Sequence, residues 1–324
     1  MPLETEVCIM WETFTTVFST MMGLLICLAI GFMLRRFHME PENTSTVLSK
    51  LEFYVLMPAV TLSAFIKNCD MQSIAENSSL ILYGAVTTVA TFAIGRIFGR
   101  FYSKDRNERK IYSYSMTCAN YGYIGTPLVQ SIMGSHGLYV YSLYQLPLNM
   151  LVNGYLIPSL IPEGKASTNG KWWRSMVNPP TIALAVGLVL GLTGWGKLLP
   201  GFVINTADTL GNCMGPIAMI LSGFVIGNFD VSELLKNKKV YLVSFLRLTI
   251  LPAALVGLVW ALGGDKNTCL LTMITFASAL GLNTVVVPAA YGGDTRLGAS
   301  MAVISSVGSL VTIPLLYSIL NTIL

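Results

Sequence analysis

Apolar runs of about 20 residues recur along the whole of this chain, the length at which a helix crosses roughly 30 Å of hydrocarbon. In lipid every backbone polar group must be satisfied within the protein, and runs of this length satisfy theirs as helices. The pattern predicts an all-α integral membrane protein with ten transmembrane helices. They lie near 12–34, 47–66, 79–101, 110–133, 137–161, 178–196, 205–227, 239–262, 267–291 and 296–321. Composition points the same way: 53% of residues are hydrophobic and 11% charged, where a soluble domain is about a quarter charged.

The opening segment MPLETEVCIMWETF carries Glu4, Glu6 and Glu12 without Lys or Arg, so it lacks the basic start of a cleavable signal peptide. The first span is therefore expected to be retained. Lys and Arg collect in alternate loops: Arg35, Arg36 and Lys50; Arg96 to Lys110; Lys165, Lys171 and Arg174; Lys236, Lys238 and Lys239; and Arg296. The intervening loops hold only Lys67, Lys197 and Lys266. Short cytoplasmic loops gather such residues. Both termini are then expected on the extracytoplasmic side of the cell membrane. The run RFYSKDRNERK reads as an anchor against lipid headgroups, with no nucleic acid partner. Cys8, Cys27, Cys69, Cys118, Cys213 and Cys269 are scattered and form no CxxC pair, so neither a metal site, a cofactor nor a disulfide framework is expected. HExxH and GxSxG are absent, which argues against an enzyme.

Two pairs of prolines relate the halves of the chain. Pro58 and Pro216 lie 158 positions apart, Pro127 and Pro288 161 apart, each within an apolar run. A common offset of half the chain implies one unit of five spans used twice. An odd number of spans inserts the second copy upside down, the inverted repeat of secondary transporters. The insert at 162–176, with Trp172 and Trp173, joins the halves.

Spans 4 and 9 read MTCANYGYIGTPLVQSIMG and ITFASALGLNTVVVPAAYGG. Proline removes a backbone donor, and glycine and asparagine tolerate unwound dihedrals. Breaks are therefore expected over Asn120 to Pro127 and Asn283 to Pro288. Near mid-membrane such breaks must line a cavity or be buried in protein. Free N–H groups at the starts of the second half-helices favour an anion. The expected substrate-binding set is Asn120, Tyr121, Gly122, Gly125 and Pro127 with Asn283, Thr284 and Pro288, and the expected ligand is a small organic anion. The competing account is a pair of proline-kinked helices with packing glycines. Lys50, Glu52, Gln145 and Asp208 are candidates for coupling or gating, and with Arg247 four of the charged groups sit near span ends, where snorkelling to the interface also explains them.

These residues carry a resemblance. NYGYIGTPL at 120–128 and GLNTVVVPAAYGG at 281–293, with SKLEFYVLMPAVTLSAF in the second span and NPP at 178–180, resemble the auxin efflux carrier family. That family comprises plant PIN auxin carriers and bacterial relatives, within the group that includes bile acid sodium symporters. The resemblance runs over roughly 12–321. It implies a scaffold part at roughly 12–66 and 178–227 and a transport part at roughly 79–161 and 239–321, moving like an elevator to export or exchange carboxylates such as auxin-like acids, malate or malonate. Asn120 and Asn283 would contact the carboxylate. A ligand receptor of the same fold and a sodium-coupled symporter are the alternatives, and assembly as a homodimer is compatible with either.

Overall fold

The computed structural model describes residues 3–39, 41, 43–161, 177–281, 283–290 and 292–324. The joining insert, with Trp172 and Trp173, lies outside the described residues. Among the described residues the chain forms helices, with one isolated β-bridge and no strand. The helices are α1 (Leu3–Arg36), α2 (Thr44–Asn68), α3 (Met71–Tyr102), α4 (Arg106–Thr117), α5 (Thr126–Leu151), α6 (Pro179–Leu192), α7 (Gly201–Gly227), α8 (Lys238–Ala261), α9 (Lys266–Ala277), α10 (Asn283–Ala290) and α11 (Arg296–Ile323). Six of them, α1, α2, α3, α7, α8 and α11, are long and apolar enough to cross a membrane, and α6 is apolar but shorter. The regions expected to supply spans 4 and 9 are discontinuous, α4 leading into α5 and α9 into α10. At Gly134 a φ of 65° interrupts α5, a backbone that only glycine adopts without strain.

Helix starts follow from short polar side chains that accept otherwise orphaned N–H groups. Asp70 accepts from Ser73 N, Asp105 from Asn107 N and Glu108 N, Asn178 from Thr181 N and Asp265 from Thr268 N. Pro179 and Pro180 then occupy the first turn of α6, where a missing N–H costs nothing.

Several prolines share a device that lets a helix continue through them, where interruptions are expected only over Asn120 to Pro127 and Asn283 to Pro288. Four π-helical turns, Glu52–Leu56, Tyr121–Gly125, Val152–Leu156 and Leu246–Ile250, each end two residues before a proline: Pro58, Pro127, Pro158 and Pro252. Proline clashes with the carbonyl four residues earlier and offers it no donor. Widening the preceding turn relieves both problems and lets the helix continue. Pro216 and Pro288 lie inside helices with no such turn.

Packing between helices uses small residues, as it must where lipid removes the hydrophobic gain of association. Gly223 and Gly227 of α7 lie on α1, Gly187 and Gly191 of α6 on α2, and Gly95 and Gly99 of α3 on α4. These are three Gly-x-x-x-Gly pairs that the sequence reading did not single out. A Cβ on Gly223 would come within 2.1 Å of the Leu28 carbonyl oxygen. Contacts join α1 with α7, α2 with α6 and α7, α3 with α4 and α5, and α9 with α8 and α11.

Candidate functional site

Helix α4 ends where Cys118 takes extended dihedrals (φ −128°, ψ 135°), and α9 ends where Ser278 does so (φ −60°, ψ 151°). The two extended stretches pair with each other. Ala119 and Leu280 form an antiparallel bridge, and Asn120 N–H donates to the Ala279 carbonyl at 2.7 Å. Leu280 N–H donates to Ser305 Oγ of α11 at 2.9 Å. Each buried unwound segment thus finds hydrogen-bond partners for its backbone in its counterpart or in a side chain of a neighbouring helix.

One break lies elsewhere than expected. The interruption assigned to Asn283–Pro288 falls upstream, at Ser278–Gly281, and Asn283 opens α10 with Pro288 inside it. Asn283 is well suited to a helix start, and its early position makes the extended stretch end before it. The other break lies at Cys118–Asn120, with the π turn Tyr121–Gly125 bridging to Pro127 at the start of α5.

Against the crossing lies a cavity of ≈ 440 Å³. Asn120, Tyr114, Tyr121, Gln145, Asn149, Asn153 and Asn283 give it polar lining, while Phe53, Met57 and Val60 of α2, Leu184 of α6 and Met214 of α7 give it an apolar wall. No Lys, Arg, Asp or Glu is among its described lining residues. A mainly apolar concavity with a few convergent polar groups is the usual form of a small-ligand site.

The model of a family described as Membrane transport protein matches residues 16–170 and again residues 165–317. The chain belongs to this family. It is the auxin efflux carrier type of membrane transport family to which NYGYIGTPL and GLNTVVVPAAYGG pointed, and it makes the chain a multi-pass membrane protein of transporter kind. No curated protein matches the chain.

Within this member of the membrane transport family, the predicted site residues divide by position. Asn120, Tyr121, Gly122, Gln145 and Asn283 line the cavity. Gly125, Pro127, Thr284 and Pro288 do not. Gly125 leaves room for Tyr141, whose Oη would stand 2.0 Å from an added Cβ. Pro127 packs on Gly215 of α7, where a Cβ would come within 2.7 Å of the proline Cβ. Thr284 is wholly buried and donates from Oγ1 to the Gly281 carbonyl at 3.0 Å.

The amides of the cavity differ in what they already bond. Asn283 donates from Nδ2 to Tyr114 Oη at 2.8 Å, and Tyr121 Oη donates to Asn149 Oδ1 at 2.6 Å. The Gln145 side chain is 5% exposed, and its Nε2 has no partner. Gln145, Asn149 and Asn153 stand at helical spacing in the fifth span, and all three line the cavity.

The charged candidates scatter. Lys50 is exposed. Asp208 accepts from Ser63 Oγ at 2.5 Å and from Lys67 Nζ at 2.5 Å, away from the crossing. Glu52 is wholly buried in the first π turn, and neither carboxyl oxygen has a partner. Arg247 departs from the snorkelling expectation: it is 0% exposed, in the π turn of α8.

Proposed function

We propose that this chain is a secondary transporter that exports or exchanges small organic anions. In this reading, ten transmembrane helices form two inverted five-helix repeats. The part at roughly 79–161 and 239–321 carries the substrate past the part at roughly 12–66 and 178–227 in an elevator motion. The observation that carries the reading is the cavity at the crossing, which has amide and hydroxyl donors and no fixed charge among its described lining residues. A carboxylate held by neutral donors and helix starts binds without the deep trap of a full ion pair, so it can also leave.

The cavity also supports alternating access. From the crossing it reaches Asn153 and Ile157 late in the fifth span and Asn178 and Thr181 at the start of α6, the end of the bundle that bears the basic loops. Toward the opposite end, Thr20 Oγ1 and Ser131 Oγ share a hydrogen bond of 3.0 Å, and Gln130 Nε2 donates to Asn212 Oδ1 at 2.5 Å. With the basic loops cytoplasmic, this is an inward-open arrangement with both termini outside. Glu52 is the acid this reading assigns to coupling.

The test is reconstitution of the purified chain in liposomes with a panel of labelled carboxylates. Uptake or release of at least one acid is expected, with Asn120→Ala and Asn283→Ala abolishing it while the protein stays monodisperse. Wild-type flux in both variants would remove these residues from the site, and binding without flux would favour a receptor.

A further inference from the structure

Arg247 is among the largest fully buried side chains, and its surroundings are unusual. Its Nε donates to the Ser115 carbonyl at 3.0 Å, its Nη1 donates to the Phe276 carbonyl, and its guanidinium lies 5.6 Å from the centre of the Phe276 ring. Nη2 has no partner, and among the described residues no carboxylate forms an ion pair with it. A buried guanidinium without a counter-charge is expensive, so a favourable field must offset the cost.

The two carbonyls reveal that field. Ser115 lies in the last turn of α4 and Phe276 in the last turn of α9, so both are among the carbonyls a helix leaves unbonded at its C-terminus. Each half-helix directs the negative end of its dipole toward the crossing, and Arg247 bonds to both. Cys118, which directly follows the last turn of α4, lines the cavity.

We propose that Arg247 is the internal cation of the crossing, a positioning residue that cancels the negative ends of α4 and α9 and so leaves the cavity favourable to an anion. The inference rests on the transport reading for its ligand. Two helix C-termini facing an anion site would repel the ligand. One guanidinium bonded to both carbonyls removes that repulsion and fixes the ends of the two extended stretches relative to each other. Because Arg247 is not a lining residue, it acts on the substrate only by neutralising the two helix ends and never becomes its ion-pair partner, which keeps release fast.

The experiment uses the full chain, in liposomes for flux and in detergent for melting. Arg247→Met keeps the apolar stem and removes the guanidinium with its charge, leaving space where it stood; Arg247→Lys keeps the charge and loses the two-way fork. Arg247→Met is expected to raise the KM for a labelled carboxylate roughly tenfold or more, with a smaller change in maximal rate. Guanidinium ion at low millimolar concentration should recover part of that loss and raise the melting temperature of Arg247→Met while leaving the wild type unmoved. Arg247→Lys should fall between the two. A wild-type KM in Arg247→Met, or no response of that variant to guanidinium in either assay, overturns the proposal. If Arg247→Met does not fold, Arg247→Lys decides: a raised KM or lowered melting temperature supports the role, and wild-type values in both overturn it. Failure of the wild type to move any carboxylate would overturn the transport reading alone, because the melting response to guanidinium still decides the role of Arg247.

Discussion

Asn120 N–H and the Ala279 carbonyl, 159 positions apart in sequence, meet at 2.7 Å and tie the two broken helices into one crossing. The bond closes only if both chains unwind at the same depth, so each interruption stabilises the other. Neither stretch could stay extended alone, because its backbone groups would lie unpaired among buried side chains.

Ser305 gives that crossing its third support. Its hydroxyl accepts from Leu280 N–H at 2.9 Å and donates to the Met301 carbonyl at 2.6 Å, and the side chain is wholly buried. Ser305→Ala leaves the Leu280 N–H without a partner, at a cost of about 1–3 kcal/mol. A lowered melting temperature and weaker substrate binding are the expected result. Ser305→Thr keeps the hydroxyl and should retain more of both.

Gln145 separates function from stability. Its Nε2 is buried beside the cavity without a well-formed hydrogen bond, so the folded protein gains little from that donor. Gln145→Leu is expected to preserve or slightly raise the melting temperature, since it removes an unsatisfied polar group, and to reduce carboxylate transport by about ten- to a hundredfold through loss of one donor to a charged ligand, worth roughly 1.5–3 kcal/mol. A thermal melt and an uptake assay on one preparation check both halves.

Much of the architecture was legible in the sequence. Run length predicted a polytopic helical protein, and the Asn, Gly and Pro clusters located both interruptions to within a few residues. What escaped was long-range or compensated. The π turns before Pro58, Pro158 and Pro252 repair the defect each proline introduces, so a proline marks a strained helix without saying whether it breaks. Asn283 lies beyond its break because a good helix opener and a good helix breaker read alike in sequence. Arg247 could be recognised as charged within an apolar run, but its carbonyl partners lie 132 and 29 residues away.

The glycine seam between α1 and α7 sets a stability test away from the cavity. A Cβ on Gly31 would come within 2.1 Å of the Ile220 carbonyl oxygen, and one on Gly223 equally close to that of Leu28. Because the obstacle is backbone, the helices must part as rigid bodies. Gly31→Ala and Gly223→Ala should each cost about 1–3 kcal/mol, and the double variant should cost less than their sum, since one separation relieves both clashes. Melting temperatures of the three variants check this, and strict additivity would argue against a shared displacement.

The hydrogen bond between Thr20 of α1 and Ser131 of α5 bears most directly on motion. Elevator transport requires α5 to slide past α1, so a bond between these side chains can exist only on one side of the cycle. Two such contacts, this one and Gln130 with Asn212, are together worth only about 1–3 kcal/mol, weak enough to open in each turnover. A covalent link at the same place is not. In a background without the six native cysteines, Thr20→Cys with Ser131→Cys joined by a short thiol crosslinker should stop carboxylate flux. Reducing the link should restore it, and each single variant should transport normally. The linked protein should still bind substrate from the basic-loop side, with a thermal shift equal to that of the unlinked protein. Undiminished flux in the fully crosslinked protein would show that α1 and α5 do not separate, and it would replace the elevator with a local gate at the cavity mouth.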